Sequence, residues 1–206
     1  FFDLDGTLVD SSIGIHNGFT YTFEQLGVPS TDAKTIRGFM GPPLETSFAS
    51  CLSPDQIELA IQLYRSYYKK KGVYEAQLFP QIKELLAELA QQYPLYITTT
   101  KNTPTAVHMI AHFEIDHFFD GIYGSSPQAV HKADVIRQAL ASHNLNPEKV
   151  VLIGDTKFDM IGAQETGLKK LAVTWGFGAE EELMSYRPDW VAHQPADILR
   201  QLQSKT

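Results

Sequence analysis

Phe1-Phe2-Asp3-Leu4-Asp5-Gly6-Thr7 opens the chain with two bulky apolar residues and then two carboxylates two positions apart. In a strand, residues i and i+2 point the same way. The spacing therefore predicts that Asp3 and Asp5 converge on one small volume, with Gly6 freeing the backbone to turn. Two unit charges about 4 Å apart repel by about 4 kcal/mol at an effective dielectric near 20. A cation between the carboxylates, or proton traffic on one of them, relieves that repulsion. The plainer reading is a strand that ends in an Asp-Gly turn, and the rest of the chain decides between the two.

Working outward, the next strand pattern lies far downstream. Leu95-Tyr96-Ile97-Thr98-Thr99 is β-branched and aromatic, and so are Gly121-Ile122-Tyr123, Val150-Val151-Leu152-Ile153, Leu171-Ala172-Val173-Thr174 and Trp190-Val191-Ala192. Helical periods fall at 82–91, 105–113, 133–142, 160–166 and 196–202. Short strands alternating with helices predict an α/β fold, a doubly wound, Rossmann-like parallel sheet covered on both faces.

Residues 12–78 break this rhythm. A crossover needs only about 10–12 residues, and this stretch is several times longer, so it reads as an inserted module, all of it helical. Ser53-Pro54-Asp55-Gln56 is a helix start, with Ser at the N-cap, Pro at the first position and Gln at the third. Ile57, Ile61, Tyr64 and Tyr68 follow as an amphipathic stripe, read as packing. The expected division is a core of 1–11 and 79–206 with an insert of 12–78.

Composition bounds the function. The chain has 206 residues, 43% hydrophobic and 20% charged, with a formal net charge of -7. That suits a globular protein and argues against a nucleic-acid binder, which usually carries a basic stripe. Lys69-Lys70-Lys71 reads as a solvated helix end. Cys51 is the only cysteine, which excludes an intrachain disulfide and fits a reducing, cytoplasmic setting. No apolar run reaches the length of a membrane span. The chain begins without Met and inside a strand-like run, so a few residues are expected to precede Phe1.

In open parallel sheets, ligands bind at the carboxyl ends of the strands. Asp3 and Asp5 follow the first strand, Thr98-Thr99-Thr100-Lys101-Asn102 ends the second, and Gly154-Asp155-Thr156-Lys157-Phe158-Asp159 follows 150–153. Lys132 opens the helix before that last strand. Acids, hydroxyls and a lysine gathered on one edge suit phosphoryl transfer, which needs a nucleophile, a proton donor, a divalent cation and donors for the equatorial oxygens. Carboxylate oxygens suit Mg²⁺.

Asp3-Leu4-Asp5-Gly6-Thr7-Leu8, the threonines ending the second strand, Lys132, and Gly154-Asp155 with Asp159 together resemble the four motifs of the haloacid dehalogenase superfamily, in that family's order. The insert resembles its C1 cap domain. Asp10-Ser11-Ser12, Gly41-Pro42-Pro43-Leu44 and 154–163 look most like the phosphoglycolate phosphatase-like branch. The resemblance implies a Mg²⁺-dependent phosphatase acting on a small phosphate monoester through a covalent aspartyl-phosphate. It makes Asp3 the nucleophile and Asp5 the general acid and base. Thr99, Thr100 and Lys132 would bind phosphate. Asp3, the Asp5 carbonyl and Asp155 would hold the metal, with Asp159 orienting its waters or Lys132. Arg37, beside Gly38 in the insert, is the candidate for a second anionic group of the substrate. His16 reads as an ordinary helix residue, and Trp175-Gly176-Phe177-Gly178 as a glycine-rich turn after a strand, rim or structural. The partner expected is a small-molecule phosphate ester, with no nucleic acid or membrane, and the protein a monomer or homodimer.

Rival readings remain. A β-phosphoglucomutase-like enzyme would place a histidine ten residues after the second acid, where Ile15 stands. A 5'-nucleotidase or a promiscuous sugar phosphatase would share the same core. A haloacid dehalogenase proper lacks an acid at the place of Asp5. A phospho-receiver has its acids, threonine and lysine in another order.

Overall fold

The computed structural model describes residues 1–29 and 31–203; position 30 of the insert and the last three positions of the segment 79–206 lie outside them. The central strand is the opening segment itself. The Phe2 amide donates to the Tyr96 carbonyl at 2.8 Å, and the Thr98 amide returns a bond to Phe2 at 2.9 Å. On the other side, the Asp3 amide donates to Ile153 at 2.9 Å and the Ile153 amide to Phe1 at 2.8 Å.

Around residues 1–3 the parallel sheet is built from β3 (Tyr96–Asn102), β4 (Gly121–Ser125), β5 (Val151–Gly154), β6 (Lys169–Val173) and β7 (Trp190–Ala192). Pairing gives the spatial order β4, β3, residues 1–3, β5, β6, β7. The fold is the expected α/β, Rossmann-like one.

Side-chain alternation accounts for the two covered faces. Phe2, Ile97, Ile153 and Leu171 join one apolar cluster with Leu85 and Leu86 of α5 (Ile82–Leu89), Met109 of α6 (Thr103–His112) and Ile198 of α10 (Pro195–Gln203). Their neighbours Phe1, Tyr96 and Leu152 join another with Ile136 and Leu140 of α7 (Lys132–His143) and Ala163 of α8 (Lys157–Thr166). Residues one apart on a strand thus feed opposite layers, as the period of two requires. The expected helices and strands are found, with ends moved by one to three residues. A short helix that periodicity did not announce, α9 (Glu180–Ser185), buries only Leu183.

The helical stretch between the first and second sheet strands holds α1 (Ser12–Leu26), α2 (Ala33–Gly38), α3 (Leu44–Ala49) and α4 (Pro54–Lys70). Ser53 and Gln56 cap α4, the Ser53 amide and hydroxyl donating to Gln56 Oε1 at 3.3 and 2.8 Å. Ile61, Tyr64 and Tyr68 of the stripe are buried. Phe19 packs its ring against Phe39, Phe48 and Tyr64 with centroids 4.9 to 5.0 Å apart. The stretch is not helical throughout. Gln77–Leu78 forms β2, which pairs antiparallel with β1 (Val9–Asp10), Val9 opposite Leu78 and Asp10 opposite Gln77. Two residues a side give no periodicity to read, so the ribbon escapes the pattern.

No helix among the described residues is long and apolar enough to cross a membrane.

Candidate active site

Because the sheet is parallel, the carboxyl ends of its strands share one edge. The strand through residues 1–3 ends at Asp3, and Asp5 reaches the same cavity from a tight loop rather than by strand alternation. The Leu4 carbonyl accepts from the Leu8 and Val9 amides at 3.0 Å each, and the Gly6 amide closes on the Val9 carbonyl at 2.8 Å. Gly6 has φ +84, and a Cβ there would lie 2.1 Å from Asp155 Oδ2. Only glycine allows both that backbone conformation and that approach.

Lys132, the first residue of α7, is buried, and its ammonium is the hub of the site. Its Nζ lies 2.7 Å from Asp3 Oδ1, 2.6 Å from Asp159 Oδ1 and 2.6 Å from the Thr98 carbonyl. Three acceptors saturate its three donors. Burial alone would lower its pKa, but Asp159 and Asp3 outweigh that and hold it above the ordinary lysine value. Asp159 Oδ2 takes the Thr156 amide at 3.0 Å and its hydroxyl at 2.9 Å, capping α8. Both Asp159 oxygens are therefore committed.

Asp155 is fully buried. Its Oδ1 accepts the Thr7 hydroxyl and its Oδ2 the Phe177 amide, each at 2.8 Å. The turn Trp175-Gly176-Phe177-Gly178, read as rim or structural, is what holds this acid. A Cβ on Gly176 would sit 2.3 Å from Asp155 Oδ2 and 2.4 Å from the Gly6 carbonyl. The Trp175 indole N–H ties the turn to the Thr7 carbonyl at 3.0 Å.

The electrostatics of this arrangement call for positive charge. Burial, then Asp159 and Asp5, push the Asp3 carboxyl up to about 7 against the pull of Lys132. Burial, Asp159 and Asp3 likewise push Asp155 well above the carboxylate range. Asp3, Asp155 and Asp159 each offer an oxygen within 4.8 Å of the others. Asp159 is neutralised by Lys132, whereas Asp155 takes only the neutral donors of Thr7 and Phe177 and Asp3 uses one oxygen on Lys132, so Asp3 and Asp155 are the acids left to meet a cation. Hard, buried, under-neutralised carboxylates fit a small divalent cation such as Mg²⁺.

Asp3 and Asp5 line a cavity of about 80 Å³ together with Thr100, Lys101, Asn102, Tyr68 and Ile15. Asp5 is held by two neighbours that the motif reading left unassigned. The Ser11 hydroxyl donates to Oδ1 at 2.5 Å, and Lys101 Nζ pairs with Oδ2 at 3.0 Å. Lys101 was visible beside the threonines, but nothing in the sequence said which acid it would meet. Thr99 is buried and its hydroxyl accepts the Lys101 amide at 3.2 Å. Thr100 faces the cavity, its hydroxyl on the Gly41 carbonyl at 3.1 Å.

Arg37 is not brought to this cavity. It is exposed and lines a separate groove of about 540 Å³ beside His16, Phe79 and Trp175, which neither Asp3 nor Asp5 enters.

The family model for haloacid dehalogenase-like hydrolases matches residues 1–173. A 5'-nucleotidase from Pseudomonas aeruginosa is 36% identical over 208 residues, covering 98% of this chain and 93% of its own. A phosphoglycolate phosphatase from Photorhabdus laumondii is 27% identical, covering 96% of this chain and 89% of its own. Among solved structures, a haloacid dehalogenase-like family hydrolase from Streptococcus pneumoniae superposes with a TM-score of 0.94 at 70% identity, covering 98% of this chain and 96% of its own. With its four motifs gathered on one sheet edge and matched by that family along most of its length, the chain belongs to the haloacid dehalogenase-like hydrolases.

Proposed function

We propose that the protein is a Mg²⁺-dependent phosphatase that hydrolyses a small phosphate monoester through Asp3. The observation that carries this reading is the contrast between the two acids of the cavity. Asp3 has one oxygen fixed by Lys132 and the other without a hydrogen bond among the described residues. Asp5 has both oxygens held, Oδ1 by the Ser11 hydroxyl and Oδ2 by the Lys101 ammonium, beside the same small space. One acid is poised to attack and the other to move a proton.

In this mechanism the free Asp3 oxygen forms a bond to phosphorus as the ester P–O bond breaks, and Asp5 gives its proton to the departing oxygen. Asp5 then takes a proton from water as that water attacks the aspartyl-phosphate, releasing inorganic phosphate and restoring Asp3. Lys132 fixes the Asp3 carboxylate, and Asp159 fixes Lys132. Thr99 and Thr100 lie within β3 on the strand next to Asp3, where their hydroxyl and amide groups would meet phosphate oxygens. Asp3, Asp155 and the Asp5 carbonyl would hold Mg²⁺, which when bound offsets the charge of the phosphoryl oxygens. Helices α1 to α4 act as a cap on the core, residues 12–78 over 1–11 and 79–206. The enzyme would work in the cytoplasm as a monomer or homodimer on a soluble ester.

A nucleoside monophosphate is the second candidate substrate, favoured by the likeness to a 5'-nucleotidase. The mutase reading gains nothing from the cavity, where Ile15 presents an apolar side chain. The test is phosphate release from phosphoglycolate, nucleoside monophosphates, sugar phosphates and p-nitrophenyl phosphate, with and without Mg²⁺. Release that needs Mg²⁺ and disappears in Asp3→Asn is the expected result. Undiminished release by Asp3→Asn would remove the mechanism.

A further inference from the structure

Tyr68 is a polar residue of the cavity that the phosphatase mechanism leaves without a task. It stands near the end of α4, 2% exposed, and its ring lines the space beside Asp3 and Asp5. Its hydroxyl has no hydrogen-bond partner among the described residues. The Ser11 hydroxyl adjoins it and gives its own proton to Asp5 Oδ1 at 2.5 Å, and the two hydroxyls do not meet in hydrogen-bonding geometry. Burial, with Asp5 nearby, holds the phenol well above its ordinary pKa, so it remains an O–H donor. A buried hydroxyl without a partner costs stability and is retained where something else uses it.

The lysine beside Tyr68 is spoken for. Lys101 Nζ lies 3.0 Å from Asp5 Oδ2 and 4.1 Å from the centroid of the Tyr68 ring, held by a carboxylate and an aromatic face at once. The ring is fixed in turn, stacked on Tyr64 at 5.7 Å. The phenol O–H is thus a rigid, neutral donor close to Asp5 with no hydrogen bond of its own among the described residues. The cavity is about 80 Å³, against roughly 300–1,000 Å³ for pockets that take drug-sized ligands.

We infer that Tyr68 is a specificity residue whose hydroxyl donates to an oxygen acceptor in the substrate's leaving group, so that the preferred esters have short, oxygenated leaving groups. This inference rests on the phosphatase reading and adds to it what the cavity selects. A site built to hydrogen-bond one substrate oxygen rejects the analogue lacking it far more strongly than an apolar pocket would.

The experiment compares 2-phosphoglycolate with ethyl phosphate, which has the same chain length and no acceptor, on the Mg²⁺-loaded protein and on Tyr68→Phe. The variant should lose about tenfold or more in kcat/KM for phosphoglycolate, as one hydrogen bond to a charged acceptor implies, and be unchanged for ethyl phosphate. Because the substitution deletes only an unpartnered oxygen, its Tm should rise by ~2–4 °C. Equal losses on both esters, or no loss on either, overturn the inference while leaving the phosphatase reading intact. If wild type hydrolyses neither ester, the substrate assignment is what fails. Tyr68 is then judged on Asp3→Asn protein, where phosphoglycolate should raise the Tm only while Tyr68 is present. A ligand shift that survives Tyr68→Phe, or no shift in either protein, overturns it.

Discussion

Asp3 is a costly residue of the site and the one on which the proposed chemistry turns. Its carboxyl is raised from 3.8 to about 7, first by burial. Between those values Asp3 holds more of a proton in the metal-free native protein than in the unfolded chain, so its contribution to stability falls as pH rises through that window. Asp155 is shifted in the same direction. Protein stripped of divalent cations should therefore melt at a higher temperature at pH 5 than at pH 8, and Mg²⁺ should raise the Tm more at pH 8. A metal-free melting profile that climbs from pH 5 to pH 8 would contradict this account. Asp3→Asn should flatten the profile and cost at least a thousandfold in turnover, read by phosphate release. Lys132→Ala should cost ~3–5 kcal/mol in a denaturant titration, because it leaves buried Asp3 and Asp159 without their cation. A loss below about 1 kcal/mol would mean that water or a cation replaces the ammonium.

At the scale of the element, the turn 175–178 matters through what it excludes. Gly176 leaves no room for a side chain against Asp155 and the Gly6 carbonyl. Gly176→Ala should push the turn away, loosen the Phe177 amide from Asp155 and weaken Mg²⁺ binding by about tenfold or more. Calorimetric titration of Mg²⁺ checks this, and unchanged affinity would separate the turn from the metal. The same turn shows why some of the site was legible in sequence and some was not. Asp3, Asp5, Lys132, Asp155 and Asp159 could be placed because each sits at a fixed offset from a strand or helix end, and the parallel sheet gathers those ends. Lys101, Ser11, Thr7 and Tyr68 could not, because their partners lie across loops or on another element, as in the Thr7–Asp155 bond 148 positions apart. Helices long enough to repeat an apolar stripe were visible. Six-residue α9 and the two-residue strands β1 and β2 were too short to carry a period.

For the whole molecule, the helical insert and the sheet share one continuous apolar cluster, in which Ile15 and Phe19 lie with Leu4 and Leu8. Replacing residues 11–76 by Asn-Gly, a two-residue turn suited to a hairpin, would join Asp10 to Gln77, which already face each other. The shortened chain should still melt cooperatively, at a lower temperature because the exposed side of that cluster meets water, and should release no phosphate. A product without cooperative melting would count against a core of 1–11 and 79–206 that folds as a unit.

The β1–β2 ribbon carries one more consequence. The two places where the chain leaves and rejoins the sheet lie side by side, Asp10 against Gln77. In the proposed arrangement of cap and core, a lid joined along that one edge would swing rather than slide. Its free margin, where the Gly41 carbonyl meets the Thr100 hydroxyl, would travel farthest. The opening would be a wedge, widest on the side away from the ribbon, with Tyr68 and Met40 riding on the moving leaf and Asp3 left on the fixed one.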